Sequence, residues 1–178
     1  MYWNGNESFK NGKATLKESV ADNYNSILKV YNFGTAEEAR KINSDMDRAI
    51  EKAGIAIPRH SIFIRNVEHN KWIDDCYLLI GKAQFYKQDY SNSRRTMEFL
   101  QKQYPGTVTD LEASLWYVRS LLQQKKYEDV VAQLEEFETK AAKVKAPYRI
   151  RREIPLMYAD YYLFTGNLTA AKTNLKQG

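Results

Sequence analysis

Residues 81–105 read GKAQFYKQDYSNSRRTMEFLQKQYP, which is the pattern of two helices joined by a short polar turn. The turn ends at Tyr90. Gly81 lies nine residues before Tyr90 and the small Ser93 lies three residues after it, so that the two helices can approach each other closely. Pro105 ends the second helix. The segment therefore predicts a helical hairpin.

The same pattern recurs twice downstream. The turn Gln88-Asp89-Tyr90 is followed by Lys125-Lys126-Tyr127 and then by Gly166-Asn167-Leu168, at separations of 37 and 41 residues. These separations are close to the period of tetratricopeptide-type repeats, in which helical hairpins of about 34 residues stack into a solenoid. Repeats of this kind are typical of scaffolds.

A fourth hairpin is predicted at the start of the chain. Pro58 is interpreted as a helix stop like Pro105, and the partner is the opening helix, with Trp3 on its buried face. An insertion, residues 22–34, joins the two helices. We therefore predict a single all-α domain, a tetratricopeptide-like solenoid of about four helical hairpins, the first with an insertion. The predicted hairpins are residues 2–58, 71–105, 108–144 and 148–178.

Composition narrows the classes of partner. With 178 residues, 43% of them hydrophobic, the chain can bury one elongated core. The formal net charge is +5, but acidic residues are interleaved with the basic runs, which is typical of solvated helix faces. We predict no nucleic-acid partner. The single cysteine, Cys76, cannot form an internal disulfide, and no run of eighteen apolar residues is present.

No pattern in the chain is typical of catalysis. His60 and His69 lie in the connection between two hairpins, without a second ligand at helical spacing. Asp74 and Asp75 are adjacent, so a helix would point them to different sides. Glycine-rich phosphate loops and nucleophile elbows are missing from the sequence. We expect no enzyme activity, no catalytic residue, no metal and no cofactor.

The concave face is the predicted binding surface, because the first helices of stacked hairpins line it. Side chains there that the core pattern does not use form a groove of mixed charge with aromatic anchors, which suits a peptide or a helix. For the aromatic members, packing between neighbouring hairpins is the alternative. The predicted groove residues are Lys82, Phe85, Tyr86, Arg119, Gln123, Asp160 and Phe164.

The insertion is more apolar than a plain connection requires. Tyr24, Tyr31 and Phe33 in it are candidates for an interface that a partner covers. The alternative, which we favour, is that the insertion folds back across its own hairpin.

Several strings resemble one family. They are residues 2–9 (YWNGNESF), 22–24 (DNY) with 27–28 (IL), 45–53 (DMDRAIEKA), 60–62 (HSI) and 70–72 (NKW). They closely resemble the PorW/SprE family, tetratricopeptide lipoproteins of the type IX secretion system and the gliding machinery. The resemblance implies a periplasmic protein held at the outer membrane by a lipid anchor, which this sequence lacks. It implies protein partners among the ring, motor or translocon components, and it identifies the chain as an N-terminal repeat fragment of a longer protein. It brings no catalytic residue.

A second resemblance leaves an alternative open. Residues 99–106, FLQKQYPG, followed by a new hairpin, resemble other tetratricopeptide lipoproteins, of the outer-membrane assembly or Tol-associated kind. A protein of that kind would bind client proteins transiently, whereas a secretion scaffold would hold a folded partner.

Overall fold

The computed structural model describes residues 2–22, 24–25, 27–65 and 67–177. This part of the chain contains ten helices and one short β-hairpin. The helices are α1 (Tyr2–Ser19), α2 (Ala36–Lys41), α3 (Asn43–His60), α4 (Ile73–Tyr86), α5 (Tyr90–Gln103), α6 (Val108–Gln123), α7 (Tyr127–Lys143), α8 (Tyr148–Arg151), α9 (Glu153–Phe164) and α10 (Leu168–Leu175), and the strands are β1 (Phe63–Ile64) and β2 (Val67–Glu68).

The helices pack as a series of hairpins. Helix α1 packs on α3, α4 on α5, α6 on α7 and α9 on α10. The first helices of successive hairpins also contact one another, α1 with α4, α4 with α6 and α6 with α9. This order of contacts confirms the prediction of an all-α, solenoid-like fold. Among the described residues, no helix has the length and apolar character needed to cross a membrane.

The hairpin formed by α4 and α5 shows why its small residues are needed. A Cβ atom placed on Gly81 would lie 2.5 Å from Cε of Met97, so a larger residue would require the buried Met97 side chain to repack. On the opposite helix, the Ser93 hydroxyl is fully buried and donates a hydrogen bond of 2.8 Å to the Gly81 carbonyl. The small pair therefore sets the close helix spacing.

The three turns that reveal the repeat share one geometry. Gln88, Lys125 and Gly166 adopt φ angles of 62°, 57° and 82°. In each turn, the next amide donates to the carbonyl five residues earlier, at 2.9 to 3.0 Å. This is the Schellman arrangement, which closes a helix through one left-handed residue. Only Gly166 adopts that conformation without steric cost.

Two details of the first hairpin were predicted wrongly. Trp3 is 67% exposed. It lies six positions before the buried Phe9, a spacing that leaves the two side chains about 120° apart around the helix axis. Pro58 does not end a helix: it lies inside α3, which continues to His60. A proline in the last turn removes one hydrogen bond, and the following turn still closes where the Ser61 amide donates to the Ile57 carbonyl at 2.9 Å.

The connection between the first two hairpins contains a β-hairpin, which the sequence analysis did not predict. Strands β1 and β2 pair antiparallel, with Ile64 opposite Val67. The Glu68 carboxylate accepts the amides of Ile62 and Asn70 at 2.9 and 2.8 Å, which closes the base of the hairpin. The apolar side chains of both strands are exposed. The hairpin therefore presents an apolar surface between α3 and α4.

The left-handed turn residues lead to a stability prediction. Lys125→Gly should raise the free energy of unfolding by about 1 kcal/mol, because glycine removes the cost of the left-handed conformation. Urea unfolding followed by circular dichroism measures the change. Lys125→Ala is the matched control, since alanine loses the same exposed side chain but keeps the steric cost. Equal stabilities of the two variants would contradict the prediction.

Candidate functional site on the inner face

Three first helices carry the predicted groove residues. Because α4, α6 and α9 contact one another in order, they form one surface, which we call the inner face. The predicted residues on it are Lys82, Phe85 and Tyr86 on α4, Arg119 and Gln123 on α6, and Asp160 and Phe164 on α9. Phe85, Tyr86, Arg119 and Asp160 are buried, and the other three are partly exposed.

Residues 27–34, which we call the strap, reach the inner face through Tyr31 and Phe33. The strap has neither helix nor strand. The ring centroid of Phe33 lies 4.7 Å from that of Phe85, with the rings nearly perpendicular, and 5.9 and 6.4 Å from those of Tyr86 and Trp116. Aromatic rings favour these edge-on and tilted arrangements. The strap therefore fills the aromatic part of the groove.

Tyr31 fills the adjacent, charged part. The Arg119 guanidinium lies 4.5 Å from the centroid of the Tyr31 ring and 4.6 Å from that of Trp116, within the range of cation–π attraction. The Tyr31 hydroxyl donates to Oε2 of Glu153 at 2.8 Å, and Nη2 of Arg119 donates to the same oxygen at 2.7 Å. Burial raises the pKa of Tyr31 well above its ordinary value, so its hydroxyl remains a donor.

A second ion cluster lies beside the first. Nζ of Lys82 is 2.8 Å from a carboxylate oxygen of Glu112, and Arg149 donates to the other oxygen of that carboxylate. Burial opposes ionisation of Glu112, but Lys82 and Arg149 hold its pKa below the usual range. The cluster therefore links α4, α6 and α8 through charges that compensate one another.

Asp160 is the least compensated charge on the inner face. It is 4% exposed, and burial raises its pKa to about 7, although Arg119 and Lys29 of the strap act in the opposite direction. Nε of Arg119 is also buried, and it has no hydrogen-bond partner among the described residues. This end of the groove therefore holds the Asp160 carboxyl, whose pKa is near neutral, and the Nε donor of Arg119, which makes no hydrogen bond to the strap.

The insertion packs on the molecule itself, and only part of this packing was predicted. Asn32 and Gly34 lie against their own hairpin, beside Leu16 of α1 and Glu38 of α2, as expected. Tyr31 and Phe33 extend beyond it to the first helices of the second, third and fourth hairpins, which was not expected. Tyr24 is 82% exposed and takes no part in this packing. An unpaired aromatic groove offers more apolar contact than the outside of the first hairpin, which explains the difference.

The inner face also shows a residue that the sequence analysis missed. The Trp116 ring contacts those of Phe33 and Phe85, and its position three residues before Arg119 on one helix could have revealed it. The Phe164 ring lies 6.0 Å from that of Tyr127 on the preceding hairpin, which is the packing between hairpins considered as the alternative for the aromatic residues. Gln123 is partly exposed on α6.

A second candidate surface lies outside the groove, where the ends of α1, α3 and α4 meet. A cavity of about 560 Å³ opens there. Trp3 and Trp72 are 67% and 53% exposed at its rim, and the rings of Tyr2 and Trp72 are 5.9 Å apart. We call it the aromatic cavity. Its lining residues are Tyr2, Trp3, Asn6, Ala56, His60, Asn70, Trp72, Ile73 and Cys76.

Comparison with known proteins adds no relative. Neither the family models nor the curated proteins searched include a match to this chain. Within the described part of the chain, no group of three or more His, Cys, Asp or Glu side chains could hold a metal ion. Cys76 is buried, and burial raises the pKa of its thiol to about 11, so it is protonated at neutral pH.

The raised pKa of Asp160 predicts a pH-dependent stability. Because its pKa is about 7 in the folded protein and 3.8 when unperturbed, the protonated carboxyl favours folding. The wild type therefore loses stability from this group as pH rises from about 4 through 7. Asparagine does not ionise, so Asp160→Asn should gain stability relative to wild type by on the order of 4 kcal/mol between pH 4 and pH 8.

Urea unfolding at pH 4, 6 and 8 measures this difference. Paired carboxylates elsewhere change the stability of both proteins alike, so only the difference between them reports on Asp160. Asp129→Asn is the control for removing an exposed carboxyl, and the pH dependence of Asp160→Asn should exceed that of this control. A constant difference for Asp160→Asn would contradict the prediction.

Proposed function

We propose that this chain is a non-enzymatic scaffold for protein–protein interactions. The observation that carries this proposal is that the inner face already holds a segment of chain without regular structure. Two aromatic side chains of that segment enter a groove formed by three successive first helices. A groove that binds its own strap in this way has the chemistry to bind a segment of another protein.

The composition of the groove supports the same proposal. Trp116 and Arg119 belong to the residue types that dominate binding energy at protein interfaces, and they lie at the centre of the inner face. Their positions are fixed by burial and by the ion pair with Glu153. A groove whose anchors are already ordered binds a partner with a smaller loss of conformational entropy.

We further propose partners among the ring, motor or translocon components of a type IX secretion or gliding machinery, in the periplasm at the outer membrane. This proposal rests on the resemblance to the PorW/SprE family. Three of the strings that carry the resemblance contribute to the lining of the aromatic cavity, and residues 2–9 are distant in sequence from the other two, residues 60–62 and 70–72. Their convergence supports a shared surface for a folded partner.

A second candidate function is that of an outer-membrane assembly or Tol-associated lipoprotein that binds client proteins. The β-hairpin favours it, because Phe63, Ile64 and Val67 expose apolar side chains next to the aromatic cavity. Exposed apolar surface of this kind suits unfolded or partly folded clients.

The proposed function predicts which proteins the chain retains. Immobilised protein should retain a small set of ring or motor components from a cell-envelope extract of the source organism, at both low and physiological salt. Mass spectrometry identifies them. A broad set of unfolded outer-membrane proteins would support the second candidate, and retention of neither set would contradict both proposals.

A pair of variants maps the surface in the same experiment. Trp3→Ala with Trp72→Ala removes the exposed rim of the aromatic cavity and should abolish retention of a folded partner bound there. Tyr148→Ala is the matched control, because Tyr148 is an equally exposed aromatic residue outside the lining of the cavity. Circular dichroism confirms that the helices remain folded in both variants.

A further inference from the structure

The strap defines the chemistry that the groove selects. Tyr31 and Phe33 are two positions apart, and their rings stack at a centroid distance of 5.9 Å with an angle of 15° between planes. Both side chains therefore enter the groove from one side of the strap, while Asn32 between them is exposed. The groove recognises an aromatic residue, a spacer and a second aromatic residue.

The two positions differ in what they require. The first combines a ring on the Arg119 guanidinium with a hydroxyl that donates to the Glu153 carboxylate at 2.8 Å. A phenylalanine there would keep the ring contact but lose a charge-assisted hydrogen bond. The second position, occupied by Phe33, is surrounded by the rings of Phe85 and Trp116. The first position therefore favours tyrosine over phenylalanine, and the second is lined by rings that suit phenylalanine.

Among the described residues, the strap contacts the later hairpins mainly through these two side chains. Its hydrogen bonds to them are that from the Tyr31 hydroxyl to Glu153 and a long one, 3.5 Å, from the Gln88 side-chain amide to the Gly34 carbonyl. Asn32 and Gly34 lie against α1 and α2 of the strap's own hairpin. Ile27 and Leu28, in the first half of the strap, are exposed. Attachment of this kind can be exchanged without breaking a helix or a strand.

The groove also has polar capacity that the strap does not use. Arg119 is 8% exposed, and its Nε atom is buried without a hydrogen-bond partner among the described residues. The buried Asp160 lies close enough to Arg119 for the guanidinium to act against the rise in the pKa of its carboxyl. A segment that supplies a polar group at this end would satisfy atoms that the strap leaves unpaired.

We propose that the groove binds, from a partner protein, a segment without regular structure that carries the pattern Tyr-X-Phe, and that this segment replaces the strap. The inference rests on the proposed scaffold function and names the partner's chemistry. The strap competes as an intramolecular ligand, at an effective concentration in the millimolar range for a short connection. Partner binding is therefore weak while the strap is seated and stronger when its anchors are removed.

A labelled synthetic peptide with the sequence of residues 27–34, ILKVYNFG, is the probe. Fluorescence anisotropy measures its binding to the full chain and to the variant Tyr31→Ser with Phe33→Ser, which lacks the strap anchors. The peptide should bind the variant at least tenfold more tightly than the wild type. Equal binding to both proteins, or no binding to a variant with unchanged helicity, would overturn the proposal.

Two further measurements make the test specific. A peptide with Tyr31→Phe should bind the strap variant about five- to tenfold more weakly than ILKVYNFG, and Glu153→Gln in that variant should reduce this difference. A preference unaffected by Glu153→Gln would overturn the assignment of the first position. If the serine variant does not fold, Tyr31→Phe in the full chain weakens the strap alone and should raise peptide binding severalfold over wild type.

The result is separable from the test of the proposed function. Retention of ring or motor components together with no peptide binding would overturn the groove inference while the scaffold proposal stands. Peptide binding with no retained partner would support the chemistry of the groove while contradicting the proposed partners.

Discussion

Arg119 introduces a positive charge at a position that is 8% exposed, and the inner face is organised around that charge. A buried guanidinium is costly unless it is paired and hydrogen-bonded. Glu153, from the next hairpin, supplies the counter-charge, and the rings of Trp116 and Tyr31 supply π-faces. One cation therefore joins two successive hairpins and the strap, so that the groove and its occupant depend on the same contacts.

The local repeat was predictable because particular residue types recur in it at fixed spacing. Gly81 and Ser93 can be recognised as a close helix contact, and Tyr90 and Tyr127 as the ends of equivalent turns. The backbone of those turns was not predictable in the same way. Gln88 adopts the left-handed conformation that Gly166 adopts freely, and its side chain carries no signal for it. The hydrogen bonds of the repeat impose the conformation, whichever residue is present.

The residues that form the groove, and the segment that covers it, were predictable from the sequence only in part. Helical spacing grouped Lys82, Phe85 and Arg119, and the structure places all three side chains around the Trp116 ring. The spacing gave no information on what covers the inner face, because Tyr31 and Glu153 are 122 residues apart and no periodic pattern connects them. Positions that the core pattern does not use were expected to be open to a partner. A segment without regular structure occupies them instead, and its path depends on tertiary contacts alone.

The strap covers an aromatic groove whose exposure to solvent would have both an advantage and a cost. Rings such as Phe85 and Trp116 favour a partner, but an apolar groove left open promotes aggregation. A covering segment of the same chain protects the groove, and it lowers the apparent affinity of any partner by the free energy needed to displace it. The aromatic cavity has no such cover among the described residues, and Trp3 and Trp72 remain exposed there. The two surfaces therefore differ in kind: the rim of the cavity is open to solvent, whereas the groove is filled by the strap.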